Sequence, residues 1–316
     1  MSKKTCDIAI IGGGPAGLTA GLYAARGLVD TVIFEKQTTG GQIATTSWVE
    51  NYPAFPTGIS GVDLSELMTR QAQEYGAQVE LFVTVTSLAK NSDGSFELQA
   101  DSGDTWQARA VILASGAVPR KLGIPGEEEY TGRGISWCAT CDAGFFKDKV
   151  IAVIGGGNSA VEEALYLTKF ARKVYLVHRR DEFRATPLLV ERARENDKIE
   201  LALSAIPLEV IGDGAKVTGL RLQSATDDTQ QTLTIEGIFE FVGVNPVSEL
   251  VADLIDTSKT QGYIAVESNG SIPDIPGLFA AGDLTNSVLK QVISAAGSGA
   301  TAAFSALKFL DDSDDT

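Results

Sequence analysis

The stretch "ISWCATCDAG" (residues 135–144) carries the chain's most reactive spacing. Cys138 and Cys141 stand two residues apart, with Trp137 before them and Asp142 directly after. A C-x-x-C pair can be a redox disulfide, half of a zinc site, or the centre of a thioredoxin-like module. Disulfide exchange needs a thiolate attacker. Reduction to the dithiol also consumes electrons and protons, so an adjacent acid is a useful donor. A structural zinc site needs four N or S ligands. Here it would recruit all three cysteines (Cys6, Cys138, Cys141) and the only histidine, His178, from three distant segments. A thioredoxin-like module needs a long helix after the pair, whereas "DAGFFKDK" leads within a few residues into another apolar strand. A redox disulfide fits best, and it needs a source of electrons.

Two glycine loops supply candidates. Gly12-Gly13-Gly14-Pro15-Ala16-Gly17 matches G-x-G-x-x-G between an apolar run and a helical stretch. Its first glycine permits the tight turn, its second the approach of backbone N–H groups to a pyrophosphate, its third close helix–strand packing. Glu35 closes the next strand, 18 residues past Gly17, where an acid accepts a ribose 2′-OH. The second loop, Gly155-Gly156-Gly157-Asn158-Ser159-Ala160, has the G-x-G-x-x-A form. The same count from Ala160 reaches "HRRDEFR", where His178, Arg179, Arg180 and Arg184 replace the acid. A carboxylate there suits NAD, and guanidinium groups suit the 2′-phosphate of NADP. His178 reads as a phosphate or structural contact rather than a base. The loops therefore point to FAD on the first and NADPH on the second.

These loops must sit on βαβ units. "DIAIIGGGPAGLTAGLYAARG" is echoed 143 residues later by "VIAVIGGGNSAVEEALYLTKF", an offset too long for a solenoid repeat. "TVIFE" and "KVYLV" complete two parallel units with right-handed crossovers. "VTVTSLAKNSDGSFELQA" and "VTGLRLQSATDDTQQTLTIEG" read as hairpins, and the Ala- and Gly-rich segment after "GLFAAGD" as a closely packed helix. The acidic end "DDSDDT" is expected to be a frayed, solvated tail. Cys6, on the first strand, reads as a small apolar filler. The expected fold class is α/β with two Rossmann-like, three-layer ββα dinucleotide-binding domains.

At 316 residues the chain has room for about two domains. Its net charge of −15 speaks against a general nucleic-acid partner. The N-terminal apolar run is too short for a signal peptide and is broken by Asp7, and nothing reaches the roughly 18 apolar residues of a membrane span. A cytoplasmic location and no membrane partner are expected.

Taken in order, "GGGPAGLTAGLYAAR", "GGQIATTSWVENYP", "VILASGA", "CATCD", "GGGNSAVEEALYL", "HRRDEFRA" and "FAAGD…KQVISAAGSGATAA" resemble thioredoxin reductase of the low-molecular-weight, bacterial and plant type. The resemblance runs from Ile11 to about Ala303. It implies an FAD- and NADPH-dependent class II pyridine nucleotide-disulfide oxidoreductase whose protein substrate is thioredoxin, and a homodimer. FAD would meet Gly12, Gly14, Pro15, Ala16, Gly17, Glu35 and Lys36 at the first unit. It would also meet Gly40, Gly41, Gln42, Asn51 and Gly116, and near the C-terminus Gly282, Asp283, Lys290, Gln291 and Val292. NADPH would meet Gly156, Gly157, Asn158, Ser159 and Glu162, then His178, Arg179, Arg180 and Arg184. Cys138 and Cys141 would form the redox disulfide, with Cys141 nearer the flavin, Cys138 the nucleophile toward thioredoxin, and Asp142 managing protons.

The same resemblance implies a discontinuous FAD domain, residues 1–116 and 246–316. Residues 117–245 would form the inserted NADPH domain, which carries the disulfide and rotates between half-reactions. Related proteins take electrons from ferredoxin or reduce other disulfide partners, and "HRRDEFR" speaks against the ferredoxin-fed version. A non-enzymatic, NADPH-binding redox sensor is the reading from another class, which catalytic turnover would exclude. Lys290 replaces the usual Arg before Gln, which keeps charge but loses fork geometry. "CDAG" replaces the commoner Cys-Asp-Gly order. Trp137 stands where smaller residues are common, as docking surface, shield or packing.

Overall fold

Alternation along the strands decides how each sheet is covered. In the strand Lys3–Ile11, Ile8 and Ile10 pack with Ile33 and Ile112 against Leu18, Ala20, Ala302 and Ala306 of the helices Pro15–Arg26 and Val292–Asp314. Ala9 and Ile11 face the other way, with Val32, Phe34 and Leu113, against Phe96, Leu98 and Trp106. Both faces are buried, which is why these strands read as nearly continuous apolar runs. The computed structural model describes residues 3–46, 49 and 51–314, apart from the side chains of Lys3, Thr45, Thr140 and Cys141. The chain divides into two compact units, Met1–Val118 with Asn245–Thr316, and Pro119–Val244.

The first unit is built on a seven-stranded sheet. Its strands run Gln78–Leu81, Thr31–Glu35, Lys3–Ile11, Thr105–Leu113, Phe96–Ala100, Val85–Lys90, and Leu278–Ala280 also pairs with Thr105–Leu113. The Lys3–Ile11 strand lies parallel to both neighbours, Ile8 opposite Thr31 and Ile10 opposite Ile112. The expected first hairpin is present as Val85–Lys90 against Phe96–Ala100. It is not a separate sheet, because the first half of the nine-residue strand Thr105–Leu113 pairs with it and the second half with Leu278–Ala280.

The second unit has a wholly parallel five-stranded sheet, Ile199–Ala202, Lys173–Val177, Val150–Gly155, Gly237–Phe241 and Ile135–Ser136. Helices Asn158–Leu167 and Pro187–Glu195 cover one face through Val161, Ala164, Leu167 and Ala193. A three-stranded antiparallel sheet, Ala205–Gly212, Val217–Ser224 and Gln230–Thr234, covers the other through Val210, Val217, Leu220 and Leu222. This is the helix–sheet–sheet layering expected of ββα units.

The C-terminus corrects the sequence reading. Of the acidic end, residues 311–314 are exposed as expected but helical rather than frayed, while 315 and 316 lie outside the described residues; Arg109 binds the Asp314 carboxylate and pairs with Asp7 at 3.3 Å. The Asp314 charge is met by a guanidinium from the sheet, a partner too distant in sequence to be visible there.

Candidate functional site

In the first unit the glycine loop opens onto a cleft of about 420 Å³. Gly12 takes φ +112°, and a Cβ there would stand 2.3 Å from the Ala114 carbonyl oxygen. Gly12, Gly14, Pro15 and Ala16 line the cleft, as do Glu35 and Lys36 at the end of the second strand. Gly41, Gln42 and Gly116 form a second wall, and Gly282, Asp283, Lys290, Gln291 and Val292 a third. Three expected residues are not among those lining the cleft. A Cβ on Gly17 would sit 1.8 Å from the Gly12 oxygen, so Gly17 serves helix–loop contact. Gly40 donates its N–H to the Gly13 carbonyl at 2.7 Å, and the Asn51 side chain donates to Gln291 Oε1 at 3.1 Å. Sequence reasoning missed Gln37, Thr38 and Val247, which also line the cleft outside any motif, and Ser115 and Ala295, which lie within quoted stretches but were not assigned to it.

Glu35 is buried, and both carboxylate oxygens are engaged. Oε2 accepts the Gly13 N–H and Oε1 the Gln37 N–H, each at 2.8 Å. The acid thus ties the second strand to the glycine loop, and each oxygen keeps a lone pair for a hydroxyl. The helix Pro15–Arg26 begins at Gly14 with no side-chain cap, so its first N–H groups are available to an anion. Open N–H donors beside a ribose acceptor fit a dinucleotide.

Lys290 lacks an arginine's fork but spends its donors locally. Its Nζ donates to the Asp283 carbonyl at 3.0 Å and the Thr285 carbonyl at 2.5 Å, and lies 4.3 Å from the centre of the Tyr263 ring. Burial pushes the Asp283 carboxyl up and the Lys290 ammonium down, and each charge partly offsets this for the other.

In the second unit the expected residues separate into two groups. His178 is 6 % exposed, and a Cβ on Gly156 would stand 2.2 Å from its imidazole. The ring stacks on Phe183 with centroids 5.4 Å apart, and Nε2 has no hydrogen-bond partner. Burial, then the charge of Arg184, holds His178 below the usual histidine range, while a hydrogen bond to the Glu182 backbone pulls the other way. The histidine is a wall beneath the loop. Arg179, Arg180 and Arg184 are exposed, and among the described residues none has an acidic partner. The Arg184 N–H donates to the Gly156 carbonyl at 2.7 Å, bringing the cluster to the loop. Asn158 Oδ1 accepts the Thr186 N–H at 2.8 Å, while Ser159 and Glu162 are exposed on the helix that Gly157 caps without a side chain. Unpaired guanidinium groups beside an uncapped helix start fit a phosphorylated ribose.

The same unit carries the cysteine pair. Cys138 is disulfide-bonded, and its N–H donates to Ser136 Oγ at 3.0 Å. The Cys141 side chain lies outside the described residues. Ala139–Asp142 form one helical turn, followed by a short 3₁₀ turn in which Ala143 is buried and Phe145 is 74 % exposed. Asp142 is half-buried, its N–H donating to the Cys138 carbonyl at 3.2 Å. Cys6 is buried and free, and desolvation pushes its thiol up to about 12, as a filler requires. A buried acid in the strand "GIFEF", Glu240, was not singled out, although a charge inside an apolar run was its signal.

The family model for pyridine nucleotide-disulphide oxidoreductases matches residues 6–299. The chain belongs to that family. A bifunctional thioredoxin reductase/thioredoxin of Mycobacterium leprae is 47 % identical over 304 residues, covering 96 % of this chain and 66 % of that longer protein. A thioredoxin reductase of Mycolicibacterium smegmatis is 44 % identical over 99 % of both chains. Among solved structures, Lactococcus lactis thioredoxin reductase (FR conformation) superposes with a TM-score of 0.88 at 39 % identity, covering 97 % of this chain and 99 % of that one. The fold of this oxidoreductase is thus the two-unit dinucleotide-binding architecture, and among the described residues no helix is long and apolar enough to cross a membrane.

Proposed function

We propose that this chain is a thioredoxin reductase, moving electrons from NADPH through FAD and a Cys138–Cys141 disulfide to the disulfide of thioredoxin. The observation that carries this is the disulfide-bonded Cys138 one strand before an arginine-marked glycine loop, in a chain whose other unit has an acid-marked loop. Bound FAD supplies the two-electron relay between nicotinamide and sulfur. The chain's own residues do the rest. Gly12, Gly14 and the helix start at Pro15 hold the flavin dinucleotide's pyrophosphate, and Glu35 takes its ribose. Gly41, Gln42, Gly116 and the segments around Asp283 and Lys290–Val292 close round the remainder. Gly156–Ser159 hold the pyrophosphate of NADPH, and Arg179, Arg180 and Arg184 bind its 2′-phosphate with charge-assisted bonds. Asp142 is the proton donor to the opening disulfide, and Cys138 the thiolate that attacks thioredoxin. The compact units then correspond to an FAD domain and an inserted NADPH domain that turns between half-reactions. A cytoplasmic homodimer completes the reading.

Anaerobic addition of NADPH or NADH to the purified yellow protein, followed by thioredoxin and a thiol reagent, tests it. Flavin bleaching by NADPH and catalytic thiol production are expected. Turnover surviving Cys138→Ser would overturn the mechanism, and equal efficiency with NADH would overturn the arginine assignment.

A further inference from the structure

Trp137, the residue before the cysteine pair, is held by a buried acid. The parallel strands Ile135–Ser136 and Gly237–Phe241 pair with Ser136 opposite Phe239, which brings Glu240 level with Trp137. The indole Nε1–H donates to Glu240 Oε2 at 3.1 Å. Glu240 is 2 % exposed, and its Oε1 finds no donor among the described residues. What faces it is a second buried acid, Glu127. The oxygens of Glu127 are themselves taken by three backbone N–H groups, those of Leu122 and Gly123 at 3.0 and 2.6 Å and of Ile124 at 3.3 Å. Two buried carboxyl groups facing each other are satisfied only if one carries a proton and donates it to the other. Glu127 already accepts from three directions, so the proton belongs on Glu240. Around Glu240, burial and Glu127 favour its neutral form, while the Trp137 N–H and the Lys121 ammonium oppose it.

We propose that protonated Glu240, shared with Glu127, is a positioning residue of the redox loop that holds Trp137 and through it the backbone entering Cys138. This rests on the thioredoxin reductase reading above. Glu240 acts through the indole and the short strand. Below the titration of Glu240 the anchor is a neutral acid with every group satisfied. Above it, two buried carboxylates repel, the Glu127–Glu240 contact opens, and Trp137 loses its fixed place. Burial pushes Glu240 up to about 8, so the change falls in the mildly alkaline range.

The test uses the flavin-loaded full-length protein and Glu240→Gln, Glu240→Leu and Trp137→Phe. Glutamine keeps an acceptor for the indole and offers Glu127 a donor that does not titrate. Wild type is expected to show a decline in thioredoxin turnover and a change in the Trp137 share of tryptophan emission, taken as the difference from Trp137→Phe, both centred near pH 8. Glu240→Gln should keep turnover near neutral pH within about twofold and abolish both alkaline transitions. Glu240→Leu should lower turnover about tenfold at all pH values while bleaching of the flavin by NADPH stays at the wild-type rate. Alkaline transitions that persist in Glu240→Gln overturn the inference, as does a Glu240→Leu protein with wild-type turnover. The emission arm needs no substrate, so it decides the anchor even if thioredoxin is not reduced, a result that would instead strike the functional reading.

Discussion

The two glycine loops share a turn and a helix start, yet the residue that closes the following strand has opposite work in each. In the first unit Glu35 reaches back to the loop, accepting from Gly13 and Gln37. In the second, His178 packs its ring under Gly156, and exposed arginines supply the polarity. Identical spacing therefore fixes where a side chain stands, while its chemistry selects the ligand. Matched positions meet matched limits: Gly12 and Gly155 face a carbonyl oxygen, while Gly13 faces the Glu35 side chain and Gly156, more tightly, the His178 ring.

The largest effect should come at Gly17, where backbone meets backbone and whose counterpart in the second loop is already Ala160. Gly17→Ala would drive a methyl group onto the Gly12 carbonyl oxygen, 1.8 Å from its ideal position. A loss of about 3 kcal/mol or more is expected, with protein purified lacking flavin. Gly156→Ala meets the His178 ring instead, and should cost about 1–3 kcal/mol. Adding His178→Ala should restore much of the loss at Gly156, and no side-chain truncation should do so at Gly17. Thermal melts and the flavin-to-protein absorbance ratio read both. Equal rescue at Gly17 and Gly156 would remove the distinction.

The chemical half of the comparison is tested at the arginines. Replacing Arg179, Arg180 and Arg184 together by Gln should raise KM for NADPH by about 10²-fold, the scale of one or two lost charge-assisted bonds. KM for NADH and the maximal rate should hardly move. Single replacements should each give a smaller share, and added salt should mimic them in wild type. If all three can be removed without changing the NADPH to NADH ratio, the cluster is a solvated patch.

Glu35→Gln is a milder break. The amide must turn one N–H toward a backbone N–H that Glu35 now accepts, leaving one donor unmatched. A cost of about 1–2 kcal/mol is expected, read as faster flavin release on dilution in mild denaturant. The equivalent His178→Gln should leave flavin retention unchanged.

What was legible in the sequence was whatever rests on short-range spacing. Both glycine loops, both βαβ units, the hairpins and the C-x-x-C pair lie where local pattern placed them. What was not legible rests on contacts between distant segments. Nothing near "DDSDDT" announces Arg109, and nothing near Trp137 announces Glu240, over a hundred residues away. The role of His178 was open for the same reason. Its position in the count was visible, but only the fold shows the ring turned inward against Gly156 while its arginine neighbours face solvent.

That inward turn has a pH consequence, the smallest of these effects. Burial and the arginine charges hold His178 below its ordinary range in the folded chain. Between the folded value and the unfolded one, near 6.5, the unfolded chain binds more protons, so stability falls as pH drops. The contribution is complete above the unfolded value and is lost on acidification through the lowered one. Amide exchange in the strand Lys173–Val177 should therefore accelerate from pH 7.5 to 5.5 beyond the intrinsic change, and His178→Phe, which cannot charge, should flatten that slope. The first loop offers the control, because no imidazole stands beneath it: Thr31–Glu35 should show no His178-dependent change. Occupying the arginine cluster with a phosphorylated nucleotide should also flatten the slope, since neutralising Arg179, Arg180 and Arg184 removes part of what opposes the imidazolium. A slope unaffected by both His178→Phe and the nucleotide would mean that the acid sensitivity of this unit has another source.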